Sequence, residues 1–118
     1  MPQESTYLEN IEKEFASAAL ALKEGNDGKV RVCARRAAGH AISWYLNAHP
    51  RAGWGSDAVS QLSAVMNDPA FPDDVRNAAS RLVKRVSDDF AYSRAEDPVV
   101  DAKTIVNCIK KILADAGR

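Results

Sequence analysis

The sequence predicts an all-α, up-and-down bundle with four main helices and one short extra helix. Apolar residues recur every three or four positions along five segments, and no stretch keeps the alternation with period two that a strand needs. Residues that cap or break helices separate these segments. A chain of 118 residues has the usual length of one domain, so residues 1–118 are expected to form a single helical unit with its own core.

The first helix is predicted from Thr6 to Glu24. Thr6 and Glu9 form a T-x-x-E capping box, in which each side chain bonds the free backbone N–H of the other residue. The inward stripe of this helix consists of Leu8, Ile11, Phe15, Ala18 with Ala19, and Leu22. Residues 25–28, which read Gly-Asn-Asp-Gly, then end the helix and restart the chain.

The second helix, from about Lys29 to Ala48, is the most apolar, and we expect it at the centre of the bundle. Pro50 and Gly53 follow its end. Its broad apolar face consists of Val30, Cys33, Ala34, Ala37, Ala41, Trp44, Tyr45 and Ala48, with Ile42 and Leu46 at one side. The opposite face is narrow and polar. We call it the polar strip, and its residues are Arg36, His40, Ser43 and Asn47.

A short third helix is predicted from about Ser56 to Met66. Ser56 or Asp57 is its expected cap. The side chains expected to face inward are those of Val59, Leu62 and Val65 or Met66. The linker that follows is rich in helix breakers, since it contains Pro69 and Pro72.

The fourth helix begins at Asp73 or Asp74, because acidic residues suit the positive end of the helix dipole. Its inward stripe consists of Val75, Ala78 with Ala79, Leu82, Val86 and Phe90. Asp97 and Pro98 are an N-cap and first-residue pair that begins the fifth helix. The stripe of the fifth helix consists of Val99, Ala102, Ile105 with Val106, Ile109, Ile112 and Leu113.

Composition excludes several classes of function. Basic and acidic residues number 16 each, so the formal net charge is zero, which argues against a bulk polyanion binder. The longest uncharged apolar run, residues 15–22, is too short to span a membrane. Cys33 and Cys108 lie far apart, so we expect a reducing, cytoplasmic location with neither a disulfide nor a zinc site. No phosphate-binding, dinucleotide or metalloprotease motif is present, and we expect no metal or cofactor.

The basic residues are concentrated in two segments without acids. Residues 28–56 contain Lys29, Arg31, Arg35, Arg36 and Arg51, and residues 75–87 contain Arg76, Arg81, Lys84 and Arg85. If the second and fourth helices are neighbours, these bases form a patch that suits RNA or nucleotide phosphates. In the alternative, the acids of the first helix pair with the bases of the second helix and leave ordinary surface ion pairs.

His40 is a candidate proton carrier for cleavage of RNA. Arg36 lies one helical turn before it on the same side, whereas Arg35 lies five residues before it and points about 140° away. An arginine holds a phosphate while a histidine moves protons to or from the sugar and the leaving oxygen. The alternative is that His40 bonds a neighbouring helix from a half-buried interface.

Two other side chains near the end of the second helix also invite a functional interpretation. His49 lies beside Pro50 at the helix end, where we favour a structural role. Trp54, between two glycines, either plugs the end of the bundle or offers a stacking surface to a base or partner. The candidate ligand-binding set is therefore Arg36, His40, Ser43, Asn47 and Trp54.

The chain resembles the HEPN family, small prokaryotic helical domains often encoded beside minimal nucleotidyltransferases. The likeness rests on residues 29–41, Lys-Val-Arg-Val-Cys-Ala-Arg-Arg-Ala-Ala-Gly-His-Ala, and on residues 101–106 of the closing helix. Many members resemble metal-independent ribonucleases with an R-x(4–6)-H motif near the start of a late helix. Arg35 and His40 have that spacing, but in the second helix. The resemblance would make Arg35 the residue that orients the phosphate and His40 the one that assists attack by the ribose 2′-hydroxyl.

The functional expectation is a non-enzymatic HEPN-like bundle that binds a nucleotide, RNA or a partner protein, as a homodimer. The last two helices contain no histidine, which by the resemblance favours a binding module and admits a nucleotidyltransferase as its partner. One alternative is a metal-independent endoribonuclease that uses His40 with Arg35 or Arg36. The other is a purely structural dimerisation or partner domain.

Overall fold

The computed structural model describes residues 2–55, 57–83 and 97–116. In these ranges the chain forms five helices and no strand. The helices are α1 (Pro2–Lys23), α2 (Asp27–Ala48), α3 (Ala58–Met66), α4 (Asp73–Val83) and α5 (Pro98–Ala116). The predicted all-α bundle with one short helix is confirmed. Val86 and Phe90 of the predicted fourth stripe, Lys84 and Arg85 of the second basic segment, and Ser56 as a cap lie outside the described residues.

A tight turn joins α1 and α2 into a hairpin. Gly25 has a φ of +73°, and the N–H of Asn26 donates to the carbonyl of Ala21 at 2.9 Å, which closes the end of α1. The side chain of Asn26 then accepts from the backbone N–H of Lys29 at 3.1 Å and caps α2. α2 therefore begins at Asp27, two residues before the predicted start.

Two predictions for α1 are wrong. The helix begins at Pro2, a residue well suited to a first helical position, so Thr6 and Glu9 lie within the helix and form no capping box at its start. Leu22 is 64% exposed and Ala19 is also exposed, although the stripe placed both inward. The reason is that Ala21, which has no exposed surface, takes the inward position in this last turn, next to the hairpin.

α2 is the central helix, as predicted, since it packs against all four of the others and most extensively against α1 and α5. Four of its alanines have no exposed surface; they are Ala34, Ala37, Ala38 and Ala41. Small side chains let neighbouring backbones come close to α2. Larger side chains from the other helices complete the core, among them Ile11, Leu62, Leu82, Ile105 and Ile109.

α2 and α3 cross where Gly39 meets Ala58. A Cβ atom built on Gly39 would lie 3.1 Å from the Cβ of Ala58, which is closer than ordinary van der Waals contact. Gly28, in the first turn of the same helix, has far more room, since its nearest neighbour is a side-chain oxygen 3.8 Å away. Gly39 is therefore needed for the approach of α3, and Gly28 is not.

Aspartates predicted as caps are found at the starts of α3 and α5. Asp57 accepts from the backbone N–H of Ser60 at 2.9 Å, and bonds from that N–H and from the Ser60 hydroxyl lower the pKa of Asp57. Asp97 accepts from the N–H of Val99 at 2.9 Å and begins α5. In α3, Val59 is 46% exposed and not inward as predicted, because Gln61, beside Leu62, takes the buried position.

Separate substitutions of Gly39 and Gly28 test the close crossing of α2 and α3. Gly39→Leu should lower the free energy of unfolding by about 2 kcal/mol, because the added side chain overlaps α3. Gly28→Ala should raise it by about 0.5 kcal/mol, because alanine favours helix and meets no obstacle. Urea denaturation monitored by circular dichroism measures both. Equal effects of the two substitutions would contradict the assigned crossing.

Candidate functional site

The polar strip of α2 lies between α1 and α3. His40 is half-buried, and its Nε2 lies 3.5 Å from a carboxylate oxygen of Glu14 in α1. Ser43 faces the other neighbour, since its hydroxyl accepts from the side-chain amide of Gln61 in α3 at 3.3 Å. Arg36 and Asn47 are exposed at the two ends of the strip. The strip is thus a solvent-facing edge whose middle is bonded to both neighbouring helices.

Arg35 does not belong to this edge. Its Nε–H donates to the carbonyl of Leu82, in the last turn of α4. This bond joins α2 to α4. The structure therefore places Arg35 against α4 and His40 against α1, and it does not bring the two together. Ideal helix geometry predicted this separation of Arg35 from His40 around α2.

Other arginines of the two basic segments also bond to protein groups. The Nε–H of Arg76 donates to the carbonyl of Met66, the last residue of α3, at 3.1 Å. Arg81 in α4 makes a two-point contact with the buried carboxylate of Asp101 in α5, at 2.9 and 2.8 Å. The two arginines of α4 thus connect this helix to its neighbours on both sides.

Arg51 is the centre of a second cluster, at the end of the bundle where α2 stops. It donates to the nearly buried carboxylate of Asp68 at 2.7 Å and to the hydroxyl of Tyr45 at 3.1 Å. The guanidinium also lies 5.2 Å from the ring centre of Trp54. The arrangement joins the loop after α2 to the linker before α4.

Trp54 has the position of a plug. Its indole is 8% exposed, with ring centres 5.9 Å from Tyr45 and 6.3 Å from Phe71. Of the two alternatives for this residue, the structure matches the first, because the side chain is buried among other aromatic rings. His49 lies beside the same cluster, 5.3 Å from the Tyr45 ring, and its Nε2 is buried with no hydrogen-bond partner among the described residues.

Glu14 is the site residue that the sequence analysis missed. It belongs to α1, so no spacing within α2 can reveal it. A signal was nevertheless present, because Glu14 lies on the side of α1 that also carries Ile11 and Ala18, where a carboxylate needs a partner. The contact matches the alternative in which His40 meets a neighbouring helix from a half-buried position.

Cys33 lies buried near Glu14. Burial raises the pKa of its thiol, and the carboxylate of Glu14 raises it further, while Lys29 and Arg36 act in the opposite direction. A raised pKa keeps the sulfur protonated and unreactive at neutral pH. Both cysteines are unpaired, since Cys108 on α5 is also a free thiol.

Neither a metal cluster nor a membrane-spanning segment is found in the parts of the chain that the structure describes. No three side chains of the histidine, cysteine, aspartate or glutamate type come together there. No described helix combines the length and apolar character that crossing a bilayer requires. Comparison with protein-family models, curated proteins and solved structures finds no match for this chain.

Arg35 and its neighbour Arg36 allow a matched test of the bond to the Leu82 carbonyl. Arg35→Ala should lower the free energy of unfolding by about 1.5 kcal/mol, because it leaves the Leu82 carbonyl without its charged donor. Arg36→Ala removes an exposed side chain from the same helix and should change stability by less than about 0.5 kcal/mol. Urea titrations compare the two variants. A loss at Arg36 as large as that at Arg35 would contradict the assignment.

Proposed function

We propose that this protein is a non-enzymatic, HEPN-like helical bundle that acts by docking another protein, in the cytoplasm. One observation carries the proposal: arginines from both acid-free segments bond to groups of the bundle itself. They are Arg35, Arg51, Arg76 and Arg81. Asp68 and Asp101 offset the charges of Arg51 and Arg81, and the Nε–H groups of Arg35 and Arg76 already donate to backbone carbonyls. The neutral net charge points the same way.

The outer surface of the helical hairpin supports a protein as the partner. Leu20 and Leu22 in α1 are 55% and 64% exposed, and Val32 in α2 is 41% exposed. Among the described helices, α1 has its main contact with α2 alone, so much of its surface is open. Exposed large apolar side chains on an open helix favour contact with another protein surface over contact with phosphates.

Titration of a fluorescent single-stranded RNA tests the proposal against nucleic-acid binding. At about 50 mM salt, the protein should leave the anisotropy of the RNA unchanged up to about 100 μM, a concentration at which non-specific binders respond. A response that falls steeply with added salt, and that Arg36→Ala or Lys29→Ala weakens, would contradict the proposal. Asp115→Ala, an exposed change on α5, is the control variant.

One observation favours the ribonuclease alternative, namely the contact between His40 and Glu14. Glu14 would hold the imidazole in place, and His40 would take the proton of a ribose 2′-hydroxyl as its oxygen attacks phosphorus. The bond from phosphorus to the 5′-oxygen breaks, water supplies the proton to that oxygen, and a 2′,3′-cyclic phosphate forms. Arg36, one turn from His40 and exposed, would offset the phosphate charge.

Cleavage assays in EDTA separate this alternative from the proposal. The proposal predicts that the wild-type protein and His40→Ala leave a mixed-sequence RNA equally intact. Cleavage that ends in cyclic phosphates, disappears in His40→Ala and falls in Glu14→Gln would establish the ribonuclease and contradict a non-enzymatic role. Arg35→Ala is the informative control, because Arg35 bonds to α4 and should not affect such a site.

A further inference from the structure

The exposed side of α1 carries a pattern that is complementary to itself. Leu20 is a large apolar side chain with more than half of its surface open to solvent. Glu12 and Lys23 are also exposed, and neither has an ion-pair or hydrogen-bond partner among the described residues. Ile11 and Ala18, which pack inward, lie on the other side of the helix. A face with an apolar centre and unpaired opposite charges at its ends is therefore left open.

The spacing places these residues on one stripe. Glu12, Ala16, Ala19 and Lys23 are separated by four, three and four residues, which keeps them on one face of a helix, with Leu20 beside them. The acid lies toward the N-terminal end of α1, and the base lies at its C-terminal end. Between them the small alanines allow another helix to approach.

We propose that a second copy of this chain docks on this face, with the two α1 helices antiparallel about a two-fold axis. This inference rests on the proposed function, because it names the protein that docks. In the antiparallel arrangement, Glu12 of each copy lies opposite Lys23 of the other, and Ala16 lies opposite Ala19. Leu20 of each copy packs over the alanines of the other. A two-fold interface requires such a self-complementary surface.

Charge complementarity favours a second copy of the chain as the partner, with its α1 helix antiparallel. A parallel pair would place Glu12 against Glu12 and Lys23 against Lys23, which is repulsive at both ends. One helix face is small compared with the interface of about 1,600 Å² typical of stable complexes, so the dimer is weak and reversible. Each ion pair is exposed and contributes little alone, but the two-fold axis makes every pair occur twice.

Charge reversal on the full chain tests the interface. Sedimentation equilibrium of the wild-type protein from about 10 μM to 1 mM should show a reversible monomer–dimer equilibrium. Glu12→Lys and Lys23→Glu should each weaken the dimer about tenfold, because every reversal places like charges together at both ends of the interface. The double variant Glu12→Lys/Lys23→Glu should recover the affinity within about threefold, because opposite charges face each other again.

Matched controls use exposed charges on α5. Asp115→Lys and Lys110→Glu change the net charge by the same amounts as the two test variants, and both should leave the dimer unchanged. Leu20→Glu should abolish association, because it puts a carboxylate at the apolar centre. Circular dichroism of every variant confirms that the helices are intact, as expected for exposed positions.

Two results would overturn the inference. The first is a monomer over the whole concentration range. The second is a dimer that is indifferent to the single reversals, or one that the double variant does not recover. Neither result affects the proposed function, which fails only if the RNA titration or the cleavage assay is positive.

Discussion

The structure depends on one constraint, which is that a single helix, α2, must contact four others. Small side chains on such a helix let its neighbours approach closely. The four alanines with no exposed surface, together with Gly39 at the crossing with α3, satisfy this requirement. The large apolar side chains come mostly from the surrounding helices. The alanine-rich composition of α2 therefore serves close packing against its neighbours.

Charged contacts between helices supply some of the cohesion of the bundle. Arg35 and Arg76 each reach from one helix to the carbonyl end of another, and Arg81 holds the buried carboxylate of Asp101. Hydrogen bonds from a charged donor stabilise more than exposed surface ion pairs do. Four arginines from the segments that look like a nucleic-acid surface in the sequence therefore bond within the bundle; they are Arg35, Arg51, Arg76 and Arg81.

Much of the fold was accessible from the sequence, because helix caps and apolar periodicity are local. The caps at Asp57 and Asp97 and the central position of α2 follow from such signals. The capping box at Thr6 was misleading, because the same residues are also acceptable inside a helix that starts earlier, at Pro2. The exposure of Leu22 depends on how α1 ends beside α2, which periodicity does not describe.

The candidate site was accessible only in part, because its chemistry depends on which helices meet. Helix geometry alone separated Arg35 from His40. It contained no information on the carbonyl of Leu82 or on Glu14, both of which belong to other helices. The same limit explains why two acid-free segments suggested a basic patch. A count of charges along the chain does not show whether each one faces solvent or a neighbouring helix.

We propose that Arg35, Arg76 and Arg81, from the two basic segments, serve the bundle and not a ligand. The most direct measurement is a ¹H–¹⁵N spectrum of the arginine Nε–H groups near pH 7, with exposed Arg36 as the internal reference. We predict that the Nε–H signals of Arg35, Arg76 and Arg81 exchange slowly with water and keep their positions when single-stranded RNA is added at low salt. Exchange as fast as that of Arg36, or shifts of all three signals on addition of RNA, would contradict the claim.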